Sequence, residues 1–338
     1  MKQYINKSIR QARKYMVFFC GLLLLQVRVS AQDNTTADQE KPVAVKPKPV
    51  KNTFESVWII DNQTVMVPVK GTLEMDIMHR FGTVEKGYSD FWGLFASSNI
   101  RLGLSYAPIK NLSAGIGVIR NAAAVSAGRS PSTVTGPIWD GSIKYSLMRQ
   151  TKGRFPVSIS YYGNAAYNTK RDTEQVNFRR YSDRLSFFHQ LIIARKISNS
   201  LSIQVAPSIS HQNLVDGYFL KLNDSTLEVN PKMKFNHIAI AFSGRYKLSN
   251  GTALMVNYDQ PLTKHVRDNP NPNLSIGVEF NTSGHSFQLF FTNYSYLSPQ
   301  INNLYNRNAP FDYTDAENKK ISGGKFLLGF NITRLWNY

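Results

Sequence analysis

Asn99-Ile100-Arg101-Leu102-Gly103-Leu104-Ser105-Tyr106-Ala107-Pro108-Ile109-Lys110-Asn111-Leu112-Ser113-Ala114-Gly115-Ile116-Gly117-Val118 is the stretch that decides how this chain folds. Ile100, Leu102, Leu104 and Tyr106 alternate with Asn99, Arg101, Gly103 and Ser105. After Pro108-Ile109-Lys110-Asn111 the alternation resumes with Leu112, Ala114, Ile116 and Val118. A period of two sends successive side chains to opposite faces of a strand. The interruption carries turn residues, so the stretch predicts a β-hairpin with one apolar and one polar face.

The pattern repeats in both directions. Upstream, Leu73, Met75, Ile77 and Phe81 oppose Glu74, Asp76 and Arg80. Downstream, Trp139, Ile143, Tyr145 and Leu147 oppose Asp140, Ser142, Lys144 and Ser146. Further strands are predicted around Phe155–Tyr161, Leu185–Ile193, Leu201–Ile209, Ile238–Tyr246, Leu254–Tyr258, Leu274–Phe280, Phe287–Phe291 and Phe326–Tyr338, about 12 in all. The links alternate too. Tight turns stand at 108–111, 150–153, 198–200, 249–251 and 282–284, and long links at 83–97, 121–135, 168–183, 213–234, 262–271 and 298–323. A soluble sandwich has no reason to gather every long loop at one end, whereas a transmembrane barrel has periplasmic turns and longer outer loops. In hydrocarbon each unpaired backbone N–H or C=O costs several kcal/mol, so the sheet must close on itself. The expected fold is therefore all-β: an antiparallel transmembrane β-barrel over residues 71–338, its apolar face toward lipid. Aromatics at the strand ends, Trp139 and Tyr258 on the outer side and Tyr106, Tyr246, Trp336 and Tyr338 on the inner, are expected to form two membrane-interface girdles.

Composition agrees. Aromatic residues make up 12% and charged residues only 18%, too few charges for a disordered chain. No apolar run reaches the roughly 20 residues of a spanning helix. One Cys excludes a disulfide framework. Residues 1–31 have the layout of a cleaved secretory signal: basic Lys2 to Lys14, apolar Met16–Leu25, then Val29-Ser30-Ala31. Cleavage would remove six basic residues from the formal +18, leaving +12. Residues 32–53 are polar and Pro-spaced, a periplasmic linker of extended character. Residues 54–70 hold Val57-Trp58-Ile59-Ile60 and Val65-Met66-Val67, too apolar to hang free. This segment could enter the lumen as a plug, add a hairpin to make 14 strands, or dock in the periplasm.

The signal ending Ser30-Ala31-Gln32, the block Gly71-Thr72-Leu73-Glu74-Met75-Asp76-Ile77-Met78-His79-Arg80-Phe81-Gly82, the segment Asp90-Phe91-Trp92-Gly93-Leu94 and the aromatic last residue resemble an uncharacterised family of Bacteroidetes outer-membrane β-barrels. The resemblance runs from about Phe54 to the end. It implies an outer-membrane location and insertion by the barrel-assembly machinery through the C-terminal strand ending in Tyr338. It brings no activity and no site residues.

Twelve strands lie between a barrel filled by side chains and one holding a water channel. The charges expected inside are Glu74, Asp76, Arg80, Arg101, Asp140, Lys144, Arg245, Asp259 and Glu279. They read either as a pore lining or as mutual ion pairs that fill the interior, and their mixed signs speak against a ring of one charge. Loop residues Lys170, Arg171, Arg179 and Arg180, with Arg184, read as an anion-attracting entrance or as a basic rim on outer-leaflet phosphates. Nucleic acid is a poor target for a secreted, lipid-facing chain. A lipid-modifying enzyme would need a base and a hydroxyl within about 3 Å. Of six histidines, His189 and His211 are the one pair predicted on adjacent strands, opposite Ile209 and Phe187, and neither has a hydroxyl directly across. His237, His265 and His285 read as isolated. No spacing suggests a metal or cofactor. The sequence thus points to a narrow or gated channel for a small solute. The alternatives are a closed barrel anchoring a periplasmic or surface partner and, less favoured, an enzyme.

Overall fold

The computed structural model describes residues 47–121, 136–172, 178–223, 226–314, 318 and 320–337. The signal segment, most of the linker, loop 122–135 and Tyr338 lie outside the described residues.

Twelve antiparallel strands close into one barrel, each bonded to its neighbours in the chain and the last to the first. They are β1 (Thr72–Thr83), β2 (Asn99–Ile109), β3 (Leu112–Asn121), β4 (Pro137–Met148), β5 (Ser158–Asn168), β6 (Leu185–Lys196), β7 (Leu201–Gln212), β8 (Asn236–Lys247), β9 (Thr252–Pro261), β10 (Asn273–Asn281), β11 (His285–Thr292) and β12 (Leu327–Asn337). Closure runs from Leu327 opposite Thr83 to Asn337 opposite Thr72. A strand of 11 residues spans about 36 Å at roughly 3.3 Å per residue, and a tilt of about 45° gives the roughly 25 Å of an apolar membrane band.

The predicted faces are those observed. Leu102, Leu104, Ile116, Ile143, Leu289 and Phe291 look outward and stay exposed, while Glu74, Asp76, Arg101, Asp140 and Lys144 are buried inside. The register of the first hairpin, Leu104 opposite Ile116 and Gly103 opposite Gly117, keeps both faces in phase across a turn whose Asn111 has φ 67°. Asn tolerates that left-handed conformation better than most residues with a side chain.

Three expectations change in detail. The predicted fifth strand begins at Ser158, not Phe155, because Thr151 and Phe155 bridge each other and Pro49 bridges Thr151. The sheet order leaves the hairpin Trp58–Ile59/Asn62–Gln63 outside the barrel sheet, so there are not 14 strands. Two of the long links also carry regular structure. Loop 213–235 carries the hairpin Gly217–Asn223/Thr226–Pro231, and loop 293–326 carries helix α1 (Pro299–Tyr305). Polar, turn-rich sequence hid the helix, which depends on contacts distant in the chain, whereas Tyr218-Phe219-Leu220 and Leu227-Glu228-Val229 pair locally and carried a hairpin signal within what reads as a loop.

Candidate functional site: an occupied lumen

Segment 54–67 lies inside the barrel, held by inward-facing wall side chains. Its hairpin turns at Ile60-Asp61, and Ile60 has φ 60°. A β-branched residue in the left-handed region costs about 1–3 kcal/mol and persists only where its surroundings impose it. Here they do: the Ile60 N–H donates to Gln288 Oε1 at 3.1 Å, and the Ile60 carbonyl accepts from Asn331 Nδ2 at 2.6 Å. The bend delivers Asp61 to Arg80, 2.5 Å from Oδ1 to Nη2. Next to it, the Asn62 amide donates to Asn257 at 3.0 Å and to Asp259 at 2.8 Å, and accepts from Gln190 at 3.0 Å. Gln63 accepts from Lys144 through its side chain and from Gln204 through its carbonyl, both at 2.8 Å. Lower in the segment, Glu55 pairs with Arg245 at 2.8 Å.

The nine expected interior charges therefore fall into two groups. Arg80, Lys144, Arg245 and Asp259 bind the inserted segment. Arg101 instead bridges two wall carboxylates, Asp140 through Nε and Nη2 (3.0 and 2.8 Å) and Asp76 through Nη1 (2.5 Å). Glu279 accepts from Arg245 at 2.7 Å, and Glu74 stands within electrostatic reach of Lys144. Arg80, Arg101 and Arg245 each hold a carboxylate, whereas Lys144 and Asp259 bond to amide groups. The acidic partners Glu55 and Asp61 were missed, because an isolated carboxylate in an apolar segment carries no signal of its own.

From the loop end, α1 descends into the same space. Gln300 donates to Asn164 Oδ1 at 3.0 Å, and Ile301, Leu304 and Tyr305 pack in one buried cluster with Val57, Trp58, Met78 and Ile138. The inserted segment and the loop thus meet within the barrel. At the turn end a cavity of about 600 Å³ remains, bordered by Glu55, Ser56, Met66, Asn281 and His285.

The basic loop is less uniform than expected. Arg171, Arg179 and Arg180 are exposed and Lys170 is half-buried. Arg184, however, folds back to donate to the carbonyls of Asn168 (3.0 Å) and Lys170 (2.7 Å) and stacks on Phe178, so it builds the loop rather than its rim. Tyr106, Trp139 and Tyr246 stand exposed at strand ends, and Tyr258 and Trp336 are part-buried there.

The histidine reading needs two corrections. His189 does oppose Ile209 and His211 does oppose Phe187, but on its other side His189 Nδ1 meets the Tyr161 hydroxyl at 2.7 Å. His237, His265 and His285 are not isolated: the His285 ring lies against the Arg334 guanidinium. Loop 262–272 folds back so that His265 Nε2 lies 2.9 Å from His237 Nδ1, while His265 Nδ1 accepts the Lys234 N–H at 2.9 Å. Burial, then the nearby Arg307 and Lys234, push His265 down to about 4 from its ordinary 6.5. A depressed histidine withholds stability under acid: the released loop takes up a proton below about 6.5, the docked loop only near 4. The docking is expected to be intact above pH 6.5 and to weaken progressively as pH falls toward 4. Protection of the Lys234 amide, measured against its intrinsic exchange rate at each pH, should fall over that window, and His265→Gln should flatten the fall.

A closed β-barrel with a lipid-facing exterior and a polar lumen occupied by its own chain defines a membrane-bound barrel protein. The chain belongs to the DUF5777 family, described as a membrane-bound β-barrel domain, whose model matches residues 54–336. Similar solved structures include a NanC porin (7% identity, covering 79% of this chain and 99% of that one, TM-score 0.41). Another is an outer-membrane channel from Pseudomonas putida F1 (12% identity, 80% and 97%, TM-score 0.43). A third is a KdgM porin (8% identity, 77% and 98%, TM-score 0.42). No curated protein matches the sequence.

Proposed function

We propose that this protein is an outer-membrane channel, closed at rest, that passes a small polar solute when segment 54–67 leaves the lumen. The observation that carries the reading is the polar character of the contact between that segment and the wall. Asp61–Arg80, Glu55–Arg245, Gln63–Lys144 and Asn62–Asp259 are contacts that water or a polar solute can replace. The wall's ladder closes without the segment, so its departure need not open the sheet. The Pro-spaced linker before it would run into the periplasm after signal cleavage, giving a periplasmic partner a handle. Assembly through the C-terminal strand and contact with outer-membrane lipid complete this picture. No catalytic role is assigned.

The second reading, a closed barrel serving as anchor or scaffold, is favoured by one feature. The apolar cluster joining Val57 and Trp58 to Ile301, Leu304 and Tyr305 packs segment and loop against each other inside the barrel.

Planar-bilayer conductance separates the two. The refolded full chain should be largely silent, and deletion of 54–67 should produce steady openings. Replacing 296–308 by a short linker as well should enlarge them. Silence from the doubly trimmed protein, shown to be folded by its heat-dependent gel mobility, would refute the channel and leave the scaffold.

A further inference from the structure

The wall cations differ in how they are neutralised. Arg101 has Asp76 and Asp140, and Arg245 has Glu279, all on the barrel itself. Arg80 takes its carboxylate from the inserted segment. Its side chain is fully buried, with the guanidinium over the Phe290 ring at 4.5 Å. Nη1 donates to Asn331 Oδ1 at 3.0 Å and to the carbonyls of His79 and Phe330 at 2.8 and 3.3 Å. The wall is shaped around it: a Cβ at Gly329 would lie 2.9 Å from Arg80 Cδ and 2.6 Å from Phe290. A guanidinium so fixed by the wall through Nη1 presents Nη2 to an anion in the lumen, a charged donor held in one orientation. Close by, Asn257 and Asp259 offer acceptor oxygens to an N–H donor, which Asn62 supplies.

We propose that the Arg80 pocket is the barrel's solute-binding site, and that Asp61 and Asn62 occupy it as stand-ins for a small carboxylate bearing hydroxyl or amide donors. The carboxylate pairs with Arg80 Nη2 where Asp61 sits now. The donors meet Asn257 and Asp259 where the Asn62 amide sits. Asp259 selects against a second negative charge at that end, so the ligand is a monoanion rather than a dianion. Segment and solute compete for one site, and binding of the solute favours the displaced segment by mass action. This deepens the channel reading by naming its solute class.

The test uses the full chain and needs no current. Asp61→Ala combined with Asn62→Ala leaves Arg80 without its anion and Asn257 and Asp259 without the Asn62 donor, and gluconate at constant ionic strength should restore both. In the refolded variant, saturating gluconate is expected to raise the melting temperature by about 5 °C. Wild type, whose site is filled, should move far less, and sorbitol and chloride should leave the variant unchanged. Adding Arg80→Gln should raise the gluconate concentration needed for a given shift about tenfold or more, as for loss of a charged hydrogen-bond partner. Should the double variant not refold, Asp61→Ser with Asn62→Ala removes the charge and keeps a polar tip. Equal shifts in wild type and variant, an equal effect of sorbitol, or no shift in a folded variant would overturn the site. Rescue from a protein that stays silent after trimming would refute the channel but not the site; current without rescue would do the reverse.

Discussion

Replacing Arg101 by Ala is expected to destabilise the barrel by about 3–5 kcal/mol, the usual consequence of removing one partner from a buried ionic cluster. The side chain is 6% exposed, and its carboxylate partners Asp76 and Asp140 are 2% and 1% exposed. Without the guanidinium, two carboxylates would face each other with neither water nor a cation between them. The backbone has been shaped to this cluster. Gly103 and Gly117 pair beneath it, and a Cβ at Gly103 would lie 2.5 Å from both the Asp76 carboxylate and Arg101 Nη1. Denaturant midpoints of refolded protein give the measurement. Arg101→Met combined with Asp76→Asn and Asp140→Asn should recover most of the loss, because a neutral interior no longer contains an uncompensated charge. The single and triple variants should therefore be strongly non-additive. A loss below about 1 kcal/mol in Arg101→Ala would mean that water reaches the cluster and that the lumen is open there.

Trp58→Ala should be comparably costly, about 3–5 kcal/mol, yet local. Trp58 is 6% exposed and is the largest side chain by which the inserted segment meets Ile301, Leu304 and Tyr305 of α1. Its carbonyl accepts from Gln288 at 2.8 Å, and its ring lies 5.7 Å from the Arg101 guanidinium carbon. The strand ladder does not pass through it. Truncation should therefore free the segment while the barrel stays closed. Exchange of the Ile60 and Thr64 amides, bonded to Gln288 and to the Val57 carbonyl, should accelerate about a hundredfold or more. Amides in β2–β6 should be unaffected, and bilayer recordings should show intermittent openings. Uniform acceleration around the barrel would show that segment and wall unfold as one unit, which the gating model forbids.

The barrel itself was legible because its rule is local. Each strand must show lipid one face and water or protein the other, so alternation such as Ile100 to Tyr106 is written residue by residue. Turn chemistry such as Ser249-Asn250-Gly251 marks the short ends. The inward direction of Glu74, Arg101 and Lys144 follows from the same alternation, and so does the register of His189 against Ile209.

What those inward groups touch was not legible. Asp61 is 19 residues from Arg80, and Glu55 is 190 from Arg245. Nothing in the local pattern says that a loose-looking apolar segment enters the lumen instead of joining the sheet or docking outside. His265 likewise reads as a loop residue until the loop folds back onto His237. α1 reads as polar loop because Gln300, Asn302 and Asn303 are buried against a polar lumen rather than an oily core. The sequence alone therefore determined the closed sheet, its faces and its short and long ends, since lipid imposes those along each strand. Only the tertiary structure decided what occupies the lumen, because pairing a buried charge depends on proximity in space, and the inserted segment and loop reach their partners across the barrel.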